Sequence, residues 1–179
     1  MKLGIFAKTF DGTDPRAVLQ SVAAAGFAGA QYNMACSGLP SMPDEISDGQ
    51  AQAVAEAAKA CGVEIVAVSG TYNMIHPDQT LRVAGHERLE VLARRCAGMQ
   101  TRLITLCTGT RDPLDQWKEH PDNGRPEAWR DLLGAMEAAV SIAERYDVDL
   151  GIEPELANVV NSAEKARLLI DEMKSSRIK

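Results

Sequence analysis

Aromatic residues are scarce, only 4% of the 179-residue chain, which argues against a surface built to stack nucleic-acid bases. Positive charge is short as well. The 19 lysines and arginines face 25 acidic residues, a formal net charge of −6, whereas a protein that tracks a polyanionic backbone carries a basic excess, overall or in a local patch. No apolar run approaches the ~18 residues needed to cross a bilayer. The opening Met1-Lys2-Leu3-Gly4-Ile5-Phe6-Ala7-Lys8 lacks the long apolar stretch of a secretory signal and reads instead as a first strand. Four cysteines, Cys36, Cys61, Cys96 and Cys107, stand far apart with no Cys-x-x-Cys pair. In apolar surroundings a reduced cysteine behaves as a small hydrophobe. These absences point to a reduced, cytoplasmic protein with no zinc ribbon, no membrane contact and no nucleic-acid partner.

What is present is a repeating alternation. Short apolar runs are expected as strands at Leu3–Ala7, Ala28–Asn33, Val63–Val68, Arg102–Cys107 and Val148–Glu153. Between them lie amphipathic stretches with apolar residues at helical spacing, clearest in Trp129, Leu132, Leu133, Met136, Val140 and Ala143. Helix starts are expected at Asp14-Pro15, at Pro43-Asp44-Glu45, near Gln79 and at an Asn161/Glu164 capping box. Gly26, Gly62 and Gly98 mark helix ends. Strands alternating with helices imply a parallel sheet with right-handed crossovers. Five units fit either a complete doubly wound sheet of flavodoxin type or the first five units of a (β/α)8 barrel. The closing Ser175-Ser176-Arg177-Ile178-Lys179 reads as a turn and the start of another strand, which favours the barrel. The expectation is therefore one α/β domain over residues 1–179, a TIM-barrel type truncated after about five βα units, with an open parallel sheet and strands six to eight absent. The open edges of strands one and five make self-association a possibility to test.

In both architectures function sits at the carboxyl ends of the strands. The loops there are long and polar: Ser69 to Asp78 after strand three, and Thr108 through Asn123 after strand four. Strand five ends Gly151-Ile152-Glu153-Pro154-Glu155. A carboxylate at the tip of an apolar strand needs a cation or donors. Glu153 either meets a divalent metal or pairs with a cation such as Arg111, and spacing does not choose between them. His76 can ligate a metal, contact a substrate hydroxyl or shape a turn. Arg111 offers a guanidinium fork to an anion or to a structural salt bridge. His86 reads as a surface residue, and His120 as a loop residue beside Trp117.

Taken together, the opening ten residues, Gln31-Tyr32-Asn33-Met34, Ser69 to Asp78, Leu106 to Pro113 and Ile152 to Val160 resemble the sugar phosphate isomerase/epimerase family, with its xylose-isomerase-like TIM barrel. The resemblance implies a divalent metal (Mg, Mn, Co or Zn) and a small sugar or sugar-phosphate substrate, isomerised or epimerised by proton transfer through an enediolate. It implies Glu153 as catalytic carboxylate and first metal ligand, and His76, Asn73, Arg111 and Asn158 as substrate-side residues. It also implies that the other metal ligands come from strands six to eight, so the chain alone is expected to be inactive and to bind metal poorly. Two alternatives stand beside this reading: a non-catalytic half-barrel that associates with itself or a partner, and an endonuclease IV-like phosphodiesterase, which the acidic balance disfavours.

Overall fold

Every expected apolar run becomes a strand and every amphipathic run a helix. In the computed structural model, which describes residues 2–179 and leaves Met1 outside them, the order is β1 (Gly4–Phe6), α1 (Pro15–Ala24), β2 (Gly29–Tyr32), α2 (Asp48–Cys61), β3 (Glu64–Ser69), α3 (Gln79–Arg95), β4 (Leu103–Leu106), α4 (Pro126–Tyr146), β5 (Asp149–Ile152) and α5 (Ala163–Met173). All neighbouring strands pair in parallel and the sheet order is β1-β2-β3-β4-β5. This order decides between the two architectures. A doubly wound sheet reverses its strand order at a switch point; a sheet that adds each strand beside the last is the arc of a barrel.

Alternation along the strands separates the two faces of that arc. Ala30, Tyr32, Ile65, Val68, Ile104, Leu106 and Leu150 point under the helices and are buried, together with Leu19, Val54, Leu89, Leu92, Leu132 and Met136 from the helices above them. The other face carries Phe6, Gln31, Val66, Thr105 and Gly151, and it is open enough to leave Val66 44% exposed. Burial under one helical layer holds the arc together, at about 1.5–3 kcal/mol for each large apolar side chain.

Several local expectations shift. α2 begins at Ser47, not at Pro43-Asp44-Glu45. The Ser47 hydroxyl accepts the Gln50 N–H at 3.2 Å while Gln50 Oε1 accepts the Ser47 N–H at 2.8 Å. This reciprocal box satisfies two orphan donors, which a proline start does not. Asp44 instead pairs with Arg88 at 2.7 Å. α5 is capped by Ser162, whose hydroxyl accepts from Lys165, and not by Asn161. α3 ends before a short 3-10 turn, Ala97–Met99, and the left-handed residue is Gln100 (φ 59°) where Gly98 was expected. His86 is not a bystander on the surface: its two ring nitrogens lie 2.8 Å from the Arg82 carbonyl and 3.0 Å from that of Ala135, which ties α3 to α4.

The edges also differ from expectation. Strand five is not bare. Ile178 pairs with Leu150 in parallel, the Leu150 N–H donates to the Arg177 carbonyl at 2.7 Å, and the Ile152 N–H to that of Lys179 at 2.9 Å. Arg177 clamps this segment through Asp147 at 2.7 Å and Asp149 at 3.8 Å. Residues 177–179 thus extend the sheet beyond β5, and β1 is the edge that no described strand covers on its outer side.

Candidate functional site

At the carboxyl ends of the strands the open face forms a cavity of about 320 Å³. β1 and the turn after it bring Phe6 and Lys8, β2 brings Gln31 and Asn33, β3 brings Ser69 and Thr71, β4 brings Cys107, and the segment after β5 brings Glu153 and Glu155. Ser41, Gln116 and Trp117 close the rim. The long loops thus help line a cavity at the end of the sheet where βα loops carry function in barrels.

Glu153 is held there by the ladder itself. Its N–H donates to the Leu106 carbonyl at 2.9 Å, one residue past β5, and Pro154 then turns the chain away. The carboxylate accepts from the Gln31 amide Nε2, 3.2 Å from one oxygen and 3.3 Å from the other, and the same Nε2 lies 2.6 Å from the Thr105 hydroxyl. Gln31 on β2 thus reaches across β3 to β4 and beyond β5. The register explains how: Gln31 pairs with Ala67, and Ser69 with Thr105, which in turn pairs with Gly151. Small side chains along this row leave a trough for one long amide. Among the described residues no lysine, arginine or histidine lies within 4 Å of Glu153.

Cys107 lines the same cavity and accepts a weak hydrogen bond from the Thr71 hydroxyl at 3.7 Å. Burial pushes its thiol up to about 11; the Thr71 contact opposes this, and the Glu153 and Glu155 charges add to it. Its burial thus favours the neutral thiol over the thiolate.

The other sequence-derived candidates gather elsewhere, in a loop network behind the rim. Asn73 spends both ends of its amide on Thr110: Nδ2 donates to its carbonyl at 2.8 Å and Oδ1 accepts its N–H at 3.0 Å. Asn158 is 2% exposed; its Oδ1 accepts from the Gly109 N–H at 2.7 Å and its Nδ2 donates to the Gln116 carbonyl at 3.2 Å. Asn123 joins them through the Arg111 N–H at 2.8 Å and the Ala157 carbonyl at 2.9 Å. His76 shapes a turn: Nδ1 accepts the Asp78 N–H at 3.0 Å, so the proton sits on Nε2 and is donated to the Pro113 carbonyl at 3.1 Å. His120 caps the turn Pro121–Gly124 in the same way.

Arg111 does not neutralise Glu153. It pairs with Asp131 on α4 at 2.6 Å and donates to the Ile75 carbonyl at 3.1 Å. Arg82 shares that carboxylate at 3.0 Å. Burial alone would raise the Asp131 carboxyl, but the Arg111 hydrogen bond and the two guanidinium charges hold it below the ordinary carboxylate range. The two open possibilities for Glu153 and Arg111 are thereby separated: the arginine has a structural partner, and the glutamate pairs with no cation among the described residues.

Among the described residues no cluster of three or more His, Cys, Asp or Glu is arranged to hold a metal. Magnesium demands near-octahedral oxygen coordination and zinc four ligands, so one strand-tip carboxylate does not make either site. Sequence reasoning missed Lys8, Ser69, Thr71 and the reach of Gln31. The only signal for them is their place at inward positions near the strand ends.

The sequence profile of the xylose isomerase-like TIM barrel family matches residues 19–179. No curated protein matches the chain. Among solved structures, the chain is similar over its full length to 3-keto-D-glucoside 4-epimerase from E. coli, with 15% identity, a TM-score of 0.77 and 66% of that chain covered. It is similar likewise to D-psicose 3-epimerase from Clostridium cellulolyticum H10, with 20% identity, a TM-score of 0.76 and 62% of that chain covered. The IolI protein with a bound zinc atom matches at 14% identity and a TM-score of 0.71, covering 99% of this chain and 61% of its own. This chain thus spans a little under two thirds of the length of these structures, and at such identities the likeness is one of fold.

Proposed function

This chain belongs to the xylose isomerase-like TIM-barrel family, and from that premise we propose that its cavity serves the isomerisation or epimerisation of a small sugar or sugar phosphate. One observation carries the reading: Glu153 presents a carboxylate to a polar cavity, fixed by a neutral amide and paired with no cation among the described residues. Such a group is free to take a proton from a carbon beside a carbonyl and to return it to the neighbouring carbon or to the other face. The Gln31 N–H holds the carboxylate over the trough and so limits its rotation. Ser69, Thr71, Asn33 and Ser41 supply the hydroxyl and amide groups that recognise a polyol, and the half-exposed Trp117 offers an apolar plate at the rim.

Metal dependence belongs to the same proposal, in limited form. The zinc-bound structural neighbour supports metal use in this fold, but the described residues around Glu153 supply no set of three or more ligands. Further donors would have to come from outside these five units. The 179 residues alone are therefore proposed to bind a ketose and not to turn it over, and Asn73, His76, Arg111 and Asn158 to act by holding the loops, without touching the sugar.

The test is a two-dimensional amide NMR titration of the 179-residue chain in H₂O with D-tagatose and Mg²⁺, with a parallel incubation in D₂O that follows solvent deuterium at the carbons beside the carbonyl. Shifts at Gln31, Thr105 and Glu153 without solvent incorporation are the expected result. Shifts confined to the outer loop network, or none at any of these sites, would overturn the reading.

A second reading, a half-barrel that associates with itself, is favoured by the uncovered edge of β1 and by Leu3, 55% exposed beside it. A monomer by size-exclusion chromatography at high concentration would count against it.

A further inference from the structure

The cavity is polarised from end to end. At the β5 end stand two carboxylates, Glu153 and Glu155; at the β1–β2 end stand donors that the protein leaves unused. Lys8 lies in the short turn Ala7–Thr9 after β1, and its ammonium reaches only the Ser41 hydroxyl, at 3.4 Å. An ammonium carries three N–H donors, so at least two remain for the cavity. Asn33 is 4% exposed, and its Oδ1 is taken by the Ala35 N–H at 3.0 Å. Its Nδ2 has no protein partner among the described residues, although Asn33 lines the cavity. This N–H₂ is open to the cavity and not sealed in the protein, so its hydrogen bonds fall to whatever occupies the cavity, ligand or water. Lys8 is also the one cationic side chain lining this cavity among the described residues.

An ammonium, an amide N–H₂ open to the cavity and a hydroxyl lining the same cavity form a set that accepts an anion. We infer that this end receives an oxyanion, so that the ligand is a sugar bearing a phosphate monoester or a carboxylate on the carbon farthest from the reacting one. The ligand's sugar part rests on the function proposed above; the oxyanion pocket rests on Lys8, Asn33 and Ser41. Lys8 follows β1 and Glu153 follows β5, the first and last strands of the arc, so the anion and the carbon presented to Glu153 are approached from different sides of the cavity. The carboxylates repel the anion from their end, and the ligand enters one way round.

The experiment titrates the 179-residue chain, its Lys8→Met variant and its Glu153→Gln variant by amide NMR. The probes are inorganic phosphate, D-tagatose, D-tagatose 6-phosphate and a hexuronate. Phosphate is expected to shift Lys8, Asn33 and Ser41 saturably, in the parent and in Glu153→Gln but not in Lys8→Met. The phosphorylated ketose or the hexuronate is expected to bind at least about tenfold tighter than D-tagatose, as a charge-assisted hydrogen bond allows, and Lys8→Met closes that gap. Whichever anion gains more identifies phosphate or carboxylate as the natural group. Phosphate leaving these three amides unmoved, or a gap that survives Lys8→Met, overturns the inference. Phosphate binding at Lys8 while no ketose moves Gln31 or Glu153 removes the sugar reading and leaves the oxyanion pocket standing. The opposite pattern does the reverse.

Discussion

The cavity face and the loop network behind it are both polar, but they use their polar atoms differently. In the network of Asn73, Thr110, Asn123 and Asn158, donors and acceptors are met by other parts of the protein, and the charge on Arg111 is met by Asp131. On the cavity face, Glu153 has a single amide donor, Asn33 has an unmet N–H₂ and Lys8 a weak hydroxyl partner. Saturation marks groups whose work is to hold the fold; spare capacity marks groups that wait for something else. The contrast separates two groups of residues that residue type alone did not, since asparagine, histidine and arginine in a loop look much like glutamine and lysine until their partners are seen.

The comparison breaks most readily at Gly109. It holds φ at +82°, and a Cβ there would lie 2.1 Å from the Asn73 Oδ1. Gly109→Ala is expected to destabilise the chain by about 2–4 kcal/mol, as strained backbone and overpacking combine, measured by urea denaturation. Asn123→Ala comes next, at about 2–3 kcal/mol, because it leaves buried partners on Thr110, Arg111 and Ala157 unmet. A loss below about 0.5 kcal/mol in both would show the network to be ornamental and remove the contrast.

Asp131→Asn is expected to lower stability by about 1–2 kcal/mol at pH 7, less than a buried pair because the carboxylate is 40% exposed. Its pH dependence has a definite sign. Because Asp131 titrates below its unfolded value, its contribution is complete above the unfolded pKa of about 3.9 and is lost as pH falls through the folded pKa. The gap in Tm between parent and variant should therefore narrow on acidification below about pH 4; a constant gap would assign the effect to packing. Glu153→Gln is the smallest change in stability, within about 0.5 kcal/mol, yet it should abolish the ketose-dependent shifts at Gln31. A large loss of stability there would place Glu153 with the structural residues.

Much of the fold was legible because local patterns and burial agree. Apolar runs of strand length, helical stripes and glycine ends gave the element order, and Ile178 does begin a further strand position beside β5. The helix starts at Ser47 and Ser162 were misplaced by four residues and by one: a proline and an asparagine each made a plausible cap, and the choice depended on which hydroxyl faced the free N–H groups. Glu153 was legible as the one carboxylate closing an apolar strand. His76 and Arg111 were legible as loop residues, but a loop has an inner and an outer side, and sequence spacing does not say which side a side chain takes. Gln31 was hidden because a glutamine near a strand end looks ordinary until a neighbouring strand of small residues lets it cross the sheet.

The order of residues along the chain by itself determined the alternation of strands and helices and a carboxylate at the end of the fifth strand, since both follow from periodicities of a few residues. Tertiary structure alone decided that the strands lie in the order one to five, that Arg111 meets Asp131, and that Gln31, Thr105 and Glu153 share one trough. Those facts depend on hydrogen bonds and charge pairs between residues up to 122 positions apart, where register, and no local preference, sets which side chains meet.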